Sequence, residues 1–305
     1  MLDFLRAEGI DESILSKIRE FRRDYPVSPE LDRRVPRPRF RYYGKEIWVQ
    51  ALTALLAGEN LLLVGPKATG KNVLAENLSA VFCRPAWDVS FYLNTDAASL
   101  IGTDTFRDGA VSFRRGPITQ CAEEGGFGVL DEINMAKNES LAVLHATLDF
   151  RRIIDVPGYD RITLQPCTRF IATMNYGYAG TRELNEALAS RFMVINMPII
   201  GKENLCKLLL SQHPTLREEV ADQLSELFQD IRKKCDSAEI STKALDLRGL
   251  LAAITLVENG LRLGQALELG MVNKTFDPFE RQLIADLIQA RVQGDLDAGA
   301  LFEQR

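Results

Sequence analysis

One short segment constrains this chain of 305 residues more than any other: a glycine-containing loop that follows an apolar run. The run Leu-Leu-Leu-Val occupies residues 61–64, and the loop Gly-Pro-Lys-Ala-Thr-Gly-Lys-Asn occupies residues 65–72. A wholly apolar run of this length is typical of a strand that is buried on both faces of a parallel sheet. Helical periodicity begins directly after the loop, so the sequence predicts a strand–loop–helix unit.

This loop has the composition of a phosphate-binding loop. Its glycines let the backbone curl so that N–H groups point inward around phosphate oxygens, and the helix that follows adds partial positive charge. Lys71 is predicted to reach the β- and γ-phosphates of a nucleotide. The candidate nucleotide-binding residues are therefore the whole loop: Gly65, Pro66, Lys67, Ala68, Thr69, Gly70, Lys71 and Asn72.

The loop departs from the usual pattern at its last position. That position ordinarily holds Ser or Thr, whose hydroxyl binds Mg²⁺, whereas this chain has Asn72. A carboxamide oxygen is an acceptable hard ligand for Mg²⁺, but it lies on a longer side chain than a hydroxyl does. Two hypotheses remain open: a metal site adapted to Asn72, or a nucleotide-dependent switch or scaffold that hydrolyses weakly.

A pair of acids follows another apolar run. Gly-Val-Leu at residues 128–130 leads directly into Asp131 and Glu132. The carboxyl ends of parallel strands meet at the sheet edge where ligands bind. We therefore expect Asp131 to hold Mg²⁺, mostly through water, and Glu132 to orient and polarise the attacking water. Solvated acids at a strand end are the alternative, and the presence of the phosphate loop disfavours it.

Two further polar residues close predicted elements later in the chain. Asn175 follows the apolar run at residues 169–174, where an amide can hydrogen-bond a γ-phosphate and the lytic water. A turn-forming asparagine is the alternative at that position. Arg191 stands at a helix end before the last predicted strand, where it can simply complement the helix C-terminus.

Short apolar runs alternate with helical stretches until about residue 200, and only helices follow. This order predicts a βαβ sheet with right-handed crossovers and then an all-helical domain. The predicted strands are residues 61–64, 87–91, 127–130, 169–173 and 193–197. The predicted helices include residues 45–57, 71–82, 139–148 with Asn138 as N-cap, 202–212, 216–235, 245–259 ending at Gly260, and 278–292 beginning at Asp277-Pro278.

Together these motifs resemble those of AAA+ ATPases, and more narrowly those of the MoxR group and the related midasin/dynein-type modules. The resemblance implies an α/β P-loop NTPase fold, a three-layer αβα domain with a central parallel sheet, followed by an all-helical lid. It spans residues 40 to 290 approximately. The segments that carry it are residues 65–72, Leu-Asp-Glu-Ile-Asn at 130–134, Ala-Thr-Met-Asn at 172–175, Gly-Thr-Arg-Glu-Leu at 180–184, and Ser-Arg-Phe at 190–192.

The resemblance also assigns roles to individual residues. Lys71 becomes the Walker A lysine, Asp131 and Glu132 the Walker B pair, and Asn175 the residue called sensor 1. The matching arginine at residue 191 becomes an arginine finger that acts on the ATP of a neighbouring subunit.

Arg248, in the predicted lid, matches sensor 2, with Lys243 as a weaker candidate. The implied ligands of this site are ATP and Mg²⁺, with the metal held by Asn72 and Asp131.

Pattern and resemblance together give a domain layout. Residues 1–40 are predicted to form a helical arm and a basic linker, residues 41–200 the nucleotide-binding domain, and residues 201–305 the lid. The basic stretch at residues 33–45 is either a solvated linker or a basic edge that meets a phosphate or a neighbouring subunit. Residues 94–117 match a helix-2 insert, and residues 151–164 match a pre-sensor-1 hairpin. The aromatic side chains of these inserts either contact a protein client or pack the inserts onto the domain: Phe106, Phe113 and Tyr159.

Composition limits the remaining function classes. The chain has 37 Lys and Arg against 42 Asp and Glu, a net charge of −5, which argues against a protein that coats nucleic acid. A nucleic-acid-linked NTPase is thus a secondary alternative. There is no apolar run of transmembrane length. Five widely spaced cysteines without a CxxC pair fit a reducing, cytoplasmic compartment.

By resemblance, the expected activity is ATP hydrolysis coupled to remodelling or maturation of a protein client. The family suggests a hexameric ring, because an arginine supplied in trans leaves the site of a monomer incomplete. It also suggests a von Willebrand factor A-type protein as partner. No membrane partner is expected.

Overall fold

The computed structural model describes residues 1–107, 109–176 and 182–303. The chain forms two compact units: Met1–Pro66 with Gly70–Pro198, and Lys67–Thr69 with Ile199–Arg305. The strands are β1 (Leu61–Val64), β2 (Ala86–Ser90), β3 (Gly102–Arg107), β4 (Ala110–Arg115), β5 (Phe127–Asp131), β6 (Ile153–Ile154), β7 (Ile162–Thr163), β8 (Arg169–Met174) and β9 (Met193–Asn196).

The α-helices of the first unit are separated by these strands and by short 3₁₀ turns. They are α1 (Leu2–Ala7), α2 (Glu12–Asp24), α3 (Lys45–Leu56), α4 (Lys71–Val81), α5 (Ala97–Ile101), α6 (Pro117–Glu123), α7 (Asn138–Leu141), α8 (His145–Leu148) and α9 (Glu186–Ala189). Those of the second unit are α10 (Lys202–Gln212), α11 (Glu218–Asp236), α12 (Leu247–Glu258), α13 (Leu263–Gly270), α14 (Pro278–Arg291) and α15 (Ala298–Leu301).

A parallel sheet of five strands, in the order β2-β5-β8-β1-β9, lies at the centre of the first unit. Leu63 of β1 is level with Thr173 of β8, and Leu130 of β5 is level with Ala172 of β8. The carboxyl ends of β5, β8 and β1 are therefore neighbours. This order brings together the three chain segments whose polar residues the sequence singled out.

Helices cover both faces of this sheet. Side chains of a strand alternate between faces, so Leu61 and Leu63 join one apolar cluster and Leu62 joins the other. The first cluster includes Leu74 and Leu78 of α4, and the second includes Ile118 of α6. The predicted three-layer αβα fold of a P-loop NTPase is thus confirmed.

The N-terminal helices belong to the same core. The Phe21 ring of α2 contacts the Phe82 ring with their centroids 5.0 Å apart, and Arg22 Nε donates to Val81 O at 2.7 Å. Further along, the Arg34 guanidinium lies 4.7 Å from the centre of the Trp87 ring. Residues 1–40 thus contribute packing and helix capping, while their boundary as a separate arm stays a prediction.

The predicted helix at residues 139–148 is wrong in its continuity. The structure divides it into α7 and α8, separated by a 3₁₀ turn at Ala142–Leu144. Asn138 is the first residue of α7 instead of its N-cap, and Lys137 takes the cap position without a side-chain hydrogen bond. Leu141, Leu144 and Leu148 are all buried in the second cluster, so the apolar spacing of a regular helix continues through the break and does not reveal it.

The second unit is helical, as predicted. Asp277 caps α14 by accepting hydrogen bonds from Phe279 N and Glu280 N, and Gly260 has a φ of +102° just beyond α12. The structure adds α13 and α15, which periodicity did not predict. Within the described ranges, no helix has the length and apolar character that crossing a bilayer requires.

Candidate functional site

The loop after β1 has the backbone conformation that a phosphate cradle needs. Gly65 N donates to Met174 O at 3.3 Å, which fixes the start of the loop to the end of β8. Ala68 and Gly70 have positive φ angles of 62° and 78°. A Cβ at Gly70 would lie only 3.2 Å from Cδ2 of Tyr42, so glycine suits both the backbone conformation and the space.

Lys71 is held inside this loop. Its side chain is 7% exposed, and Nζ donates to Gly65 O at 2.9 Å and to Pro66 O at 2.8 Å. Burial lowers the pKa of Lys71 to about 8, while the negative charges of Asp131 and Glu132 oppose that shift. The ammonium group is therefore poorly solvated and is suited to pairing with an anion, and bound phosphate oxygens would supply that charge.

Asp131 lies at the end of β5 with both carboxylate oxygens oriented by neighbours. Thr173 Oγ1 donates to Oδ1 at 2.5 Å, and Asn72 Nδ2 donates to Oδ2 at 3.0 Å. Each carboxylate oxygen has about two acceptor directions, so both oxygens can accept further partners. The carboxylate is thus held in place and can still bind a cation or its water ligands.

The Asn72 amide can replace both functions of the usual hydroxyl. The donor side of the amide faces Asp131, as a carboxylate requires, which leaves the acceptor atom Oδ1 for another partner. An amide oxygen and a carboxylate are both hard ligands that suit Mg²⁺, which takes its other ligands from water and phosphates. The residues present therefore fit a magnesium ion held by Asn72 and Asp131.

This arrangement predicts that a substitution of Asn72 weakens the metal site. Asn72→Asp keeps the length but removes the donor and places a second negative charge against Asp131, so Mg²⁺-dependent nucleotide affinity is expected to fall about tenfold or more. Asn72→Gln keeps the amide at a different reach and serves as the control for shape. Affinities measured with Mg²⁺ and with EDTA would separate the effects. An Asn72→Asp protein with unchanged Mg²⁺ dependence would contradict this metal assignment.

Glu132 and Asn175 are in direct contact at the same edge. Asn175 Nδ2 donates to Glu132 Oε1 at 2.9 Å. Glu132 has a left-handed backbone conformation with φ of +54° and ψ of +46°, which is costly for a residue with a side chain. The turn directs Glu132 out of the strand direction, and Asn175 orients its carboxylate.

Arg191, one of the two arginines predicted to act in catalysis, contacts other residues of the first unit. Arg191 Nε donates to His145 O at 3.1 Å, and Nη2 lies 3.3 Å from Asp149 Oδ2. Hydrogen bonding from Arg151, with a further contribution from Arg191, lowers the pKa of Asp149 to about 2. None of the described contacts of Arg191 involves Lys71 or the acid pair of β5, which is compatible with a role at another subunit's site.

Arg248 is an exposed residue at the start of α12, in the second unit, and Lys243 lies in the 3₁₀ turn Thr242–Ala244 before it. The sensor 2 role of either residue stays a prediction. Of the motif at residues 180–184, Gly180 and Thr181 lie outside the described residues.

The two predicted inserts are joined to one another through aromatic and polar contacts. Strands β3 and β4 form one antiparallel hairpin, and β6 and β7 form another. Tyr159 OH donates to Asp104 Oδ1 at 2.6 Å, and the Tyr159 and Phe113 rings lie 5.1 Å apart. Phe113 also packs against the second apolar cluster, whereas Tyr159 is 39% exposed and Phe106 is 76% exposed. Contact of these aromatic side chains with a client stays a prediction.

Sequence reasoning missed two residues of this site. Thr173 is buried beneath Asp131, and Asn134 Nδ2 donates to Asn175 O at 2.8 Å. The side-chain oxygen of Asn134 is buried and has no hydrogen-bond partner among the described residues. Thr173 gave no signal of its own, because threonine is common in strands, and Asn134 stood out only as part of a motif.

The matches to known proteins cover the candidate site and most of the chain. Residues 60–192 match the model of the AAA domain, dynein-related subfamily. The uncharacterized protein YojN of Bacillus subtilis (strain 168) is 32% identical over 286 residues, which cover 92% of this chain and 93% of YojN. The uncharacterized protein SAB1265c of Staphylococcus aureus (strain bovine RF122 / ET3-1) is 33% identical over 237 residues, which cover 76% of this chain and 90% of that protein.

A solved structure of a protein from Cytophaga hutchinsonii also matches, at 15% identity over 93% of this chain and 89% of that chain. Its TM-score is 0.46, which is too low for this likeness to bear on the function of the chain.

Proposed function

This chain belongs to the dynein-related subfamily of AAA domain proteins, and from that premise we propose that it is an ATPase that remodels or matures a protein client. In this proposal the chain binds ATP with Mg²⁺ and hydrolyses it at the edge of the sheet formed by β1, β5 and β8. The narrower likeness to the MoxR group, with its von Willebrand factor A-type partners, is part of the proposal.

The observation that supports it best is the convergence of one lysine, two acids and two amides. Lys71 lies in the loop after β1, and Asn72 contacts Asp131. Asn175 contacts Glu132, the acid next in sequence. Phosphate binding, metal binding and activation of water thus have separate groups, and these groups come from three adjacent strands.

Each group has a distinct task in the proposed reaction. The ammonium group of Lys71 exchanges its hydrogen bonds to the carbonyls of Gly65 and Pro66 for hydrogen bonds to the phosphates. Glu132 orients the attacking water and accepts its proton, while Asn175 keeps the carboxylate of Glu132 in one orientation. A magnesium ion held by Asn72 and Asp131 would neutralise phosphate charge.

The assembly is also proposed. Arg191 would act at the site of a neighbouring copy, which requires an oligomer. A head-to-tail contact of this kind can close into a ring, and a hexamer is the size that the family suggests. A cytoplasmic location is proposed because all five cysteines are free thiols, and reducing compartments keep them so.

A nucleotide-dependent switch with weak hydrolysis is the second candidate function, favoured by Asn72 alone. The Asn72–Asp131 hydrogen bond counts against the switch, because the amide supplies the donor that a hydroxyl would supply. A nucleic-acid-linked NTPase has no comparable observation in its favour, and the net charge of −5 counts against it.

Lys71→Ala tests the nucleotide site itself. Removing the buried ammonium group is expected to weaken ATP binding by about 100-fold, since charge-assisted hydrogen bonds to phosphate are lost. Titration calorimetry would measure affinity, and phosphate release by the wild type with ATP or GTP would measure turnover and its nucleotide preference. Lys207→Ala, at a half-exposed lysine of α10, is the control.

Two outcomes would overturn the proposal. If Lys71→Ala bound nucleotide as tightly as the wild type, the loop would not be the phosphate site. If the wild type bound ATP with Mg²⁺ but released no phosphate, alone or with a von Willebrand factor A-type partner, the switch would replace the ATPase.

A further inference from the structure

A single buried hydroxyl connects the two acids of the site. Thr173 belongs to β8 and is 1% exposed. Its Oγ1 donates to Asp131 Oδ1 at 2.5 Å and accepts a hydrogen bond from Glu132 N at 3.0 Å. One atom therefore holds the carboxylate assigned to the metal and the backbone that carries the carboxylate assigned to the water.

We propose that Thr173 is a positioning residue, whose hydroxyl sets the relative placement of Asp131 and Glu132 for Mg²⁺-nucleotide binding and for hydrolysis. This inference rests on the proposed function of the site, because it assigns Thr173 a part in that same reaction. Thr173 itself touches neither nucleotide nor water in this proposal.

The backbone of Glu132 shows why the hydroxyl is needed. A left-handed conformation costs a non-glycine residue free energy and persists only where the surroundings determine it. At Glu132 the N–H group finds its acceptor in Thr173 Oγ1. Without that acceptor the turn is held less firmly, and the Glu132 carboxylate becomes less well placed.

The strand geometry lets β8 reach both acids. Thr173 is the last but one residue of β8, and Asn175 directly follows the end of that strand. Thr173 contacts the backbone of Glu132, and Asn175 contacts its carboxylate. Two polar groups on one chain segment thus hold Glu132 at its backbone N–H and at its carboxylate.

Asp131 gains its orientation from two sides. Thr173 donates to one carboxylate oxygen and Asn72 to the other, so the plane of the carboxylate is determined. If the Thr173 hydroxyl is lost, Oδ1 keeps no described donor, and the group can rotate about its side-chain bonds. Loss of this hydroxyl should therefore weaken the Mg²⁺ contribution to nucleotide binding as well as turnover.

Thr173→Val is the discriminating variant, since valine keeps the branched shape and the strand preference but lacks the hydroxyl. We expect the affinity gain that Mg²⁺ gives to ATP binding to fall about tenfold, with affinity in EDTA unchanged. Turnover is expected to fall between about ten- and a hundredfold. Thr173→Ser, which restores the hydroxyl, should lie within about threefold of the wild type.

Thr168→Val provides the matched control for a buried threonine. Thr168 is fully buried in the same unit, and its hydroxyl donates to the carbonyls of Cys121 and Ala122, away from the acids. The Thr168→Val variant is expected to have a lower melting temperature, with no change in the affinity that Mg²⁺ adds to ATP binding. Thermal unfolding of each variant shows whether a loss comes from reduced stability.

Each of these measurements either supports or overturns the positioning role of Thr173. Wild-type Mg²⁺ dependence and turnover in Thr173→Val would overturn the inference, as would an equal loss in Thr168→Val. If the wild type releases no phosphate, the proposed hydrolysis fails separately. In that case a reduced Mg²⁺ effect in Thr173→Val still supports positioning of Asp131, and an unchanged effect overturns it.

Discussion

Glu132→Gln should bind ATP with wild-type affinity and lose turnover by a factor of about 10² to 10⁴. Glutamine has the same length, and its side-chain oxygen can still accept the hydrogen bond from Asn175 Nδ2. An amide cannot take a proton from water, however, so activation of the nucleophile is lost. Binding by calorimetry and single-turnover phosphate release would separate the two effects.

The control for this change is Glu20→Gln, which alters an exposed acid of α2 and the net charge by the same amount. It should leave both binding and turnover at wild-type values. Turnover that survives in Glu132→Gln would remove Glu132 from the role of general base. A loss of ATP binding in that variant would instead indicate that the carboxylate shapes the nucleotide site.

The positions of the main site residues could be predicted because they follow from the order of the strands in the chain and from the geometry of a parallel sheet. Lys71, Asp131 and Asn175 each follow an apolar run, and the carboxyl ends of parallel strands lie at one edge. The sequence could not show that β5, β8 and β1 are direct neighbours. That adjacency determines which hydrogen bonds form between the polar groups.

Thr173 illustrates the limit of reading residue by residue. A threonine suits a strand about as well as valine does, so its presence in β8 needs no explanation beyond strand preference. Only the register of β8 beside β5 shows that its hydroxyl meets the acid pair. The chemistry of Asn72 was recognised in sequence as unusual, yet the direction of its amide required the position of Asp131.

Helix α13 was missed for a related reason. Its helical pattern is weakened by Gly264 and Gly270, which are poor helix formers. The structure shows why a larger residue does not fit at one of them: a Cβ on Gly270 would lie 2.3 Å from the carbonyl oxygen of Gly249 in α12. Close packing of α12 against α13 therefore requires the residues that make the sequence signal weak.

Basic residues near the N-terminus show a second limit. Arg34 belongs to the basic stretch at residues 33–45, whose charge alone indicates contact with solvent, a phosphate or a neighbouring subunit. In the structure Arg22 donates to the last turn of α4, and Arg34 lies against the Trp87 ring. Charge patterns do not distinguish an arginine that caps or stacks from one that is solvated.

Arg191→Ala should reduce turnover by a factor of about 10³ to 10⁵ while ATP affinity stays near that of the wild type, if Arg191 acts on a neighbouring copy. Its guanidinium is held by Asp149 and by the carbonyl of His145, and the side chain is 21% exposed. An arginine that is already oriented loses little further freedom when it meets phosphate. Phosphate release at protein concentrations above and below ring assembly would measure the effect.

The same contacts give Arg191 a structural part within its own subunit, so loss of activity alone does not prove action in trans. Mixing Arg191→Ala with Glu132→Gln separates the two. An Arg191→Ala subunit still has Glu132, and a Glu132→Gln subunit still has Arg191. When these two subunits are neighbours in that order, the site between them has both residues. Random mixing at equal amounts then restores about a quarter of wild-type turnover. If both proteins fold and the mixture stays inactive, Arg191 supports only its own chain.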